Sequence, residues 1–252
     1  MSLVASLYPS LKPWLFKMDA EHAHEWTTRM MRVANGLGLL TAGQETLVSK
    51  PVECLGLKFP NALGLAAGMD KSASAVEAWS ALGFGFVEVG TLTPRPQPGN
   101  PKPRLFRLPE HEALINRMGF NNVGIHAAVK RLEKRPTKAG AGANIGKNFD
   151  TPNEAAVNDY LYCLKVAYPV ADYIAVNISS PNTKGLRDLQ DEESIRQLLA
   201  ALKKEQAGLQ TEHGKKVPLL VKIAPDLEGA QIEALARVFN ELAVDGVIAT
   251  NT

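Results

Sequence analysis

Along residues 1–50, large apolar side chains recur at helical spacing: Leu7, Leu11, Trp14 and Met18, then Trp26, Met30, Val33 and Leu37. Positions three and four apart share one face of a helix, so the pattern predicts two short amphipathic helices. Asp19 stands between them as an N-cap for the second, and Gly36 and Gly38 end it. From about residue 61 the rhythm changes. Continuous apolar runs at 62–67, 84–89, 143–146, 173–178, 219–223 and 246–250 predict strands. Helical patterns near 72–82, 122–134, 152–166, 191–208 and 228–242 fall between them. Thr151, Pro152 and Glu154 are ordered as N-cap, first-turn proline and capping-box acid for the third of these. Ile232, Leu235, Phe239 and Leu242 share one face of the last.

Strand–helix alternation with unbroken apolar strands predicts a parallel sheet covered by helices. Periodicity does not decide between a doubly wound sheet and a barrel. The polar residues favour the barrel. Lys71, Thr91, Asn144, Asn148, the stretch Asn177 to Asn182, Lys222 and Asn251 each fall just after a strand. In a barrel all strand C-termini converge on one face, so these side chains would meet around one ligand. The expected fold is an α/β, TIM-type (β/α)8 barrel over residues 51–252, preceded by a two-helix extension over 1–50. Six strands are visible and the sixth stands at the end of the chain, where eight strands need two further units. The barrel is therefore expected to be truncated after its sixth strand.

Composition adds limits. The chain has 252 residues, 45% hydrophobic and 21% charged, which is ordinary for a globular protein. A net charge of +2 makes no case for a nucleic-acid partner. Cys54 and Cys163 make neither metal-ligand spacing nor a disulfide framework, which suits a reducing cytosol. The first residues lack the basic start of a signal peptide, and Lys12 and Lys17 interrupt the apolar stretch. No apolar run approaches the ~18 residues a spanning helix needs. Any membrane contact is expected to be peripheral.

The candidate chemistry follows the strands. Residues 91–121 exceed an ordinary βα loop and hold Pro94, Pro96, Pro98, Pro101, Pro103 and Pro109. Leu105, Phe106, Leu108, Leu114, Ile115, Met118 and Phe120 give this segment something to bury, so an ordered cover over the ligand site is expected. Asn177-Ile-Ser-Ser-Pro-Asn-Thr183 packs two amides and three hydroxyls into seven residues after a strand. Turn chemistry alone does not ask for amides on both sides of the serines. Such groups suit a flat ring with amide edges. Lys71 and Lys222, at strand ends, suit an anionic group or a ring edge that gains negative charge. Three other signals are discounted. Gly140-Ala-Gly142 precedes a strand rather than following one, so it is not a dinucleotide fingerprint. His22 and His24 face different sides of a helix, so no metal pair is expected. Lys130, Arg131, Lys134 and Arg135 read as a solvated helix face.

Several segments resemble one family. Asn61-Ala-Leu-Gly-Leu-Ala-Ala-Gly-Met-Asp-Lys71 is similar to the first barrel strand of dihydroorotate dehydrogenases. Glu88-Val-Gly-Thr91, Pro94-Arg-Pro-Gln-Pro-Gly-Asn-Pro101, Arg104-Leu-Phe-Arg107, Ile115-Asn-Arg-Met-Gly-Phe-Asn121 and Asn177–Thr183 resemble further motifs of it. The extension at 1–50, with Asp19, Glu21 and His24, resembles the quinone-dependent, class 2 members. The resemblance implies oxidation of dihydroorotate to orotate in de novo pyrimidine (UMP) biosynthesis, with FMN as hydride acceptor and a membrane quinone as final acceptor. It implies Ser180 as the base, with Thr183 and Phe120 shaping its proton relay. It implies Lys71, Asn116, Arg117, Met118, Gly119, Phe120, Asn177, Asn182, Asn251 and Thr252 around the substrate. Ala67, Gly68, Lys71, Thr91, Asn144, Asn177, Lys222 and Thr250 would line the flavin, and His24 and Arg107 the quinone tunnel. It implies a peripheral protein on the cytoplasmic side of the inner membrane. Two other readings stay open: a non-catalytic membrane- or partner-binding fragment, and another FMN barrel that reduces a pyrimidine.

Overall fold

A computed structural model describes residues 3–40, 50–135, 140–183 and 185–250. Asn251 and Thr252 lie outside the described residues. Two helices come first, α1 (Leu3–Lys17) and α2 (Ala20–Gly36). Asp19 caps α2 as expected, its carboxylate accepting from the His22 amide at 3.0 Å. Two short strands follow, β1 (Val52–Cys54) and β2 (Leu57–Phe59), paired antiparallel through Leu55 and Gly56. Those two residues have φ of 58° and 74°, as a tight hairpin turn requires. Three-residue strands are too short to show a period, so this hairpin was not legible beforehand.

The main sheet contains β3 (Gly64–Leu65), β4 (Phe86–Leu92), β7 (Gly140–Ile145), β8 (Tyr173–Asn177), β9 (Leu219–Ile223) and β10 (Gly246–Ala249). Every pairing in it is parallel, and each strand lies beside the one before it. Crossovers between parallel strands are right-handed, so an unreversed order puts every crossover helix on one face. That is the barrel arrangement, not the doubly wound one. The helices are α3 (Val76–Ala81), α4 (Ile125–Leu132), α5 (Ala156–Ala167), α6 (Glu192–His213) and α7 (Gly229–Glu241). The long proline-rich loop is ordered, as expected. It carries a second hairpin, β5 (Leu105–Leu108) with β6 (Ala113–Asn116), which packs against α2.

Side chains alternate across each strand. Val87, Val89, Ile174, Val176, Leu219 and Val221 point outward into a core shared with Leu132, Leu164, Leu199 and Leu235 of the helices. The inward set is different. Near the strand starts it is aromatic: Phe59 lies 5.1 Å from Phe86, and Phe86 6.3 Å from Tyr173. Glycines make room for these rings. A Cβ on Gly64 would stand 2.0 Å from Phe86, and one on Gly142 would stand 2.1 Å from Tyr173. Near the strand ends the inward set turns polar.

Some boundaries differ from expectation. The first main strand shrinks to two residues. Gly140 and Gly142 lie within β7 rather than before it. At the third barrel helix, residues 153–155 form a single 3-10 turn and α5 begins at Ala156. Thr151 donates its hydroxyl to Asp159 at 2.7 Å instead of capping the helix. The capping box appears on α7, between Glu228 and Gln231. No described helix is long and apolar enough to cross a membrane.

Candidate active site

Three polar residues from three neighbouring strands meet at the polar end. Thr91 donates to Asn144 Oδ1 at 2.6 Å. The Asn177 amide donates to Thr91 Oγ1 at 2.8 Å and to Asn144 Oδ1 at 3.2 Å. All three are buried. Burial without partners would cost each group a hydrogen bond, so the trio holds its amides in fixed orientation. Asn177 Oδ1 in turn accepts from the amide and hydroxyl of Ser179 at 3.0 and 2.8 Å. Tyr160, wholly buried on α5, donates to the Asn177 carbonyl at 2.7 Å.

Beneath the trio sits Glu88. It accepts from Asn144 Nδ2 at 2.8 Å and from the Tyr173 hydroxyl at 3.2 Å. Burial raises its pKa above the ordinary carboxyl value, and the charge of Lys222 acts against that rise. Lys222 is itself buried, and burial pulls its pKa down while Glu88 opposes the fall. The Lys222 ammonium makes no hydrogen bond or ion pair with any described residue. A buried ammonium with no hydrogen bond among the described residues has room for a bound anionic or electron-rich group, with Glu88 as its one neighbouring charge.

At the first main strand, Ala67 is buried and Gly68 has φ 111°, its amide donating to the Gly90 carbonyl at 3.0 Å. A side chain on Gly90 would strike the Asn144 carbonyl, so the backbones of two strand ends approach here. Half-buried Lys71 donates to the Gly68 carbonyl at 2.5 Å, and burial lowers its pKa. Thr250 is exposed at the end of β10.

The loops add a second set. Met118, Gly119 and Phe120 are buried behind exposed Asn116 and Arg117. Phe120 adopts φ 56°, a conformation that non-glycine residues rarely keep outside special sites. A Cβ on Gly146 would stand 3.2 Å from the Phe120 ring and 2.7 Å from the Thr91 methyl. The Phe120 ring therefore approaches the Thr91 trio. Asn100 bridges the loops, donating to the carbonyls of Arg117 at 2.9 Å and Asn182 at 3.4 Å. Half-buried Ser180 accepts from the Asn182 amide at 3.2 Å. Three residues on, the Thr183 hydroxyl is buried without a partner among the described residues.

His24 lines a cleft of about 320 Å³ with Glu21, Thr28, Lys71, Met118 and Asn121. Thr28 Oγ1 and Asn121 Oδ1 on its wall are buried without partners among the described residues. Burial, then Lys71, lowers the pKa of His24, so the imidazole favours its neutral form. Arg107 is not on this wall. It donates to the Met18 carbonyl at 2.8 Å, at the turn between α1 and α2, and stacks 4.9 Å from the Phe16 ring.

Sequence reading missed Glu88 as a site residue, although a carboxylate inside an apolar strand was a signal for it. It also missed the buried ion pair of Glu21 with Arg104, at 2.7 Å, which ties α2 to the hairpin. Nothing local in the sequence pairs residues 83 apart.

Amides, hydroxyls and a buried lysine gathered at the strand ends of a parallel β/α sheet define a barrel enzyme that binds a flat, hydrogen-bonding ligand. The comparisons narrow that class. The family profile described as dihydroorotate dehydrogenase matches residues 50–252. A Xanthomonas campestris protein called dihydroorotate dehydrogenase (quinone) is 54% identical over 247 residues, covering 98% of this chain and 70% of that one. One of the same name from Chromobacterium violaceum is 56% identical, covering 98% and 72%. The crystal structure of DHODH from Eimeria tenella in complex with ferulenol matches with a TM-score of 0.79 at 37% identity, over 100% of this chain and 70% of that one. The chain belongs to the dihydroorotate dehydrogenase family.

Proposed function

We propose that this protein oxidises dihydroorotate to orotate in pyrimidine biosynthesis, with FMN as first acceptor and a membrane quinone as the second. The observation that carries this reading is the Thr91–Asn144–Asn177 trio beside buried Lys222, whose charge faces that of Glu88, in a chain of this family. Those residues, with Ala67, Gly68, Lys71 and Thr250, would hold FMN, which when bound supplies a two-electron acceptor. Lys222 would balance negative charge gained at the ring edge on reduction.

The substrate would lie under the 116–120 and 177–183 loops. Asn116, Arg117, Met118, Gly119, Asn177, Asn182 and Lys71 would fix its carboxylate and ring amides, together with Asn251 and Thr252. Ser180 would take the proton from the carbon beside the ring carboxamide as hydride leaves the neighbouring carbon. A serine hydroxyl is a poor base in water, so its own proton must pass on. The Thr183 hydroxyl, buried and without a partner among the described residues, supports that path, and the Phe120 ring supports exclusion of bulk water from it. The His24 cleft, between α2 and the barrel loops rather than between the two helices, would admit quinone, with Arg107 at the turn between α1 and α2. Exposed Leu7, Leu11, Trp14, Trp26, Val33 and Leu37 on these helices support peripheral contact with the cytoplasmic side of the inner membrane.

An anaerobic visible spectrum tests the reading. Flavin absorbance should bleach with dihydroorotate and return with a soluble quinone. Protein that stays colourless with added FMN refutes it. Ser180→Ala should lower turnover by about 10²–10⁴-fold, the range for a lost general base, while orotate still binds. Near wild-type turnover would remove Ser180 from its role.

A further inference from the structure

A second, larger cleft of about 520 Å³ opens beside α2, between that helix, residues 73–78 and the end of α4. No step of the proposed reaction uses it. Its walls carry Arg29 and Arg32 from α2, and Arg131 and Lys134 from the α4 end. Arg135 also lines it but is neutralised by Asp172 at 2.8 Å. Arg131 donates to the Ser72 carbonyl at 2.8 Å, and none of the four is in an ion pair with a described residue. Glu77 is the one acid among the lining residues. Glu25 lies toward the smaller cleft, where its nearest cation is Lys102 at 4.0 Å. Four cations around one concavity, without an ion-pair partner among the described residues, repel one another unless an anion joins them. Guanidinium forks match phosphate oxygens in particular.

The same helix says which phosphate. Trp26, Met30, Val33 and Leu37 form an exposed apolar stripe on α2. Arg29 sits three residues from Trp26 and four from Val33, so it flanks that stripe. A soluble phosphate has no use for the stripe. A helix lying among headgroups uses both, apolar side chains below and cations at phosphate level.

We infer that the cleft between α2 and α4 seats phosphodiester headgroups of an anionic phospholipid bilayer. This rests on the peripheral-membrane reading and deepens it. Arg29 and Arg32 also line the smaller cleft, so headgroups held here would turn the mouth of that cleft toward the bilayer.

Flotation with vesicles tests it, using phosphatidylcholine alone and mixed with phosphatidylglycerol. Each cation near an anionic surface is worth roughly fivefold in partitioning, so Arg131→Gln/Lys134→Gln should lose about 25-fold on mixed vesicles. Its binding to pure phosphatidylcholine should not change. Arg131→Lys/Lys134→Arg should keep the preference for mixed vesicles. Equal wild-type partitioning onto both vesicles overturns the inference, as does a glutamine variant that keeps the preference. Calorimetry with inorganic phosphate at constant ionic strength covers the remaining source. Phosphate binding lost in the variant, with vesicle preference intact, assigns a soluble-phosphate site and overturns the lipid assignment. Binding to pure phosphatidylcholine reads the apolar contact separately, so the two readings fail independently.

Discussion

Arg104→Met should release α2 from the barrel without melting the barrel. Arg104 donates to both carboxylate oxygens of Glu21, at 3.0 and 2.7 Å, and both side chains are buried. Its remaining nitrogen donates to the carbonyls of Pro98 and Asn100 at 2.5 and 2.8 Å. Methionine keeps the bulk and removes every one of these donors. Glu21 is then left with Lys102 at 3.4 Å, whose side chain is 60% exposed and screened by water. Breaking one side of a buried pair costs roughly 3–5 kcal/mol. Within α2 only Ala20, Glu21, Ala23 and Thr28 are buried, and Met31 and Ala34 pack partly against the core, so the buried ion pair is a large share of what holds the helix down. The cost should therefore appear as local opening. Hydrogen exchange of peptides spanning 20–36 should speed up by about two to three orders of magnitude, while β4 and β8 keep their protection. Glu21→Leu/Arg104→Met should recover most of the loss, because it removes the stranded charge as well. The pH dependence has a fixed sign. Arg104 holds the Glu21 carboxyl below its ordinary value of 4.5. The pair thus stabilises docking above that value and loses its contribution as pH falls through the lowered one. An α2 protected within tenfold of wild type in Arg104→Met, or a double variant no better than the single, refutes the reasoning.

Two further outcomes follow from the barrel interior. Burial raises the pKa of Glu88 above 4.5, so the folded protein keeps a proton that the unfolded chain releases, and wild-type stability falls as pH rises through that window. Glu88→Gln stays neutral, so its urea midpoint should gain on wild type over the same window, and a constant difference would refute the raised value. Gly142→Ala would place a Cβ 2.1 Å from the Tyr173 ring and disturb the hydroxyl bonded to Glu88, costing about 1–3 kcal/mol by overpacking. An unchanged thermal midpoint would show that the ring has room to move.

The sequence by itself determined the parallel β/α alternation and the two amphipathic helices with Asp19 between them; Thr91, Asn144, Asn177 and Lys222, expected just after their strands, stand inside the last residues of them. These are local facts, written in periods of two and 3.6 and in the polar residue that ends an apolar run. Barrel order rather than double winding was legible only indirectly, through the assumption that those polar ends converge. The tertiary structure decided what depends on distant contacts. Glu88 became the floor of the site because β4 lies beside β7, which brings Asn144 within 2.8 Å. The cations of α4 read as a solvated face, yet the fold placed Arg131 and Lys134 across a cleft from Arg29 and Arg32. Arg104 found Glu21 across 83 residues, because a buried charge takes whichever partner the fold brings near, and no period in the chain encodes that choice.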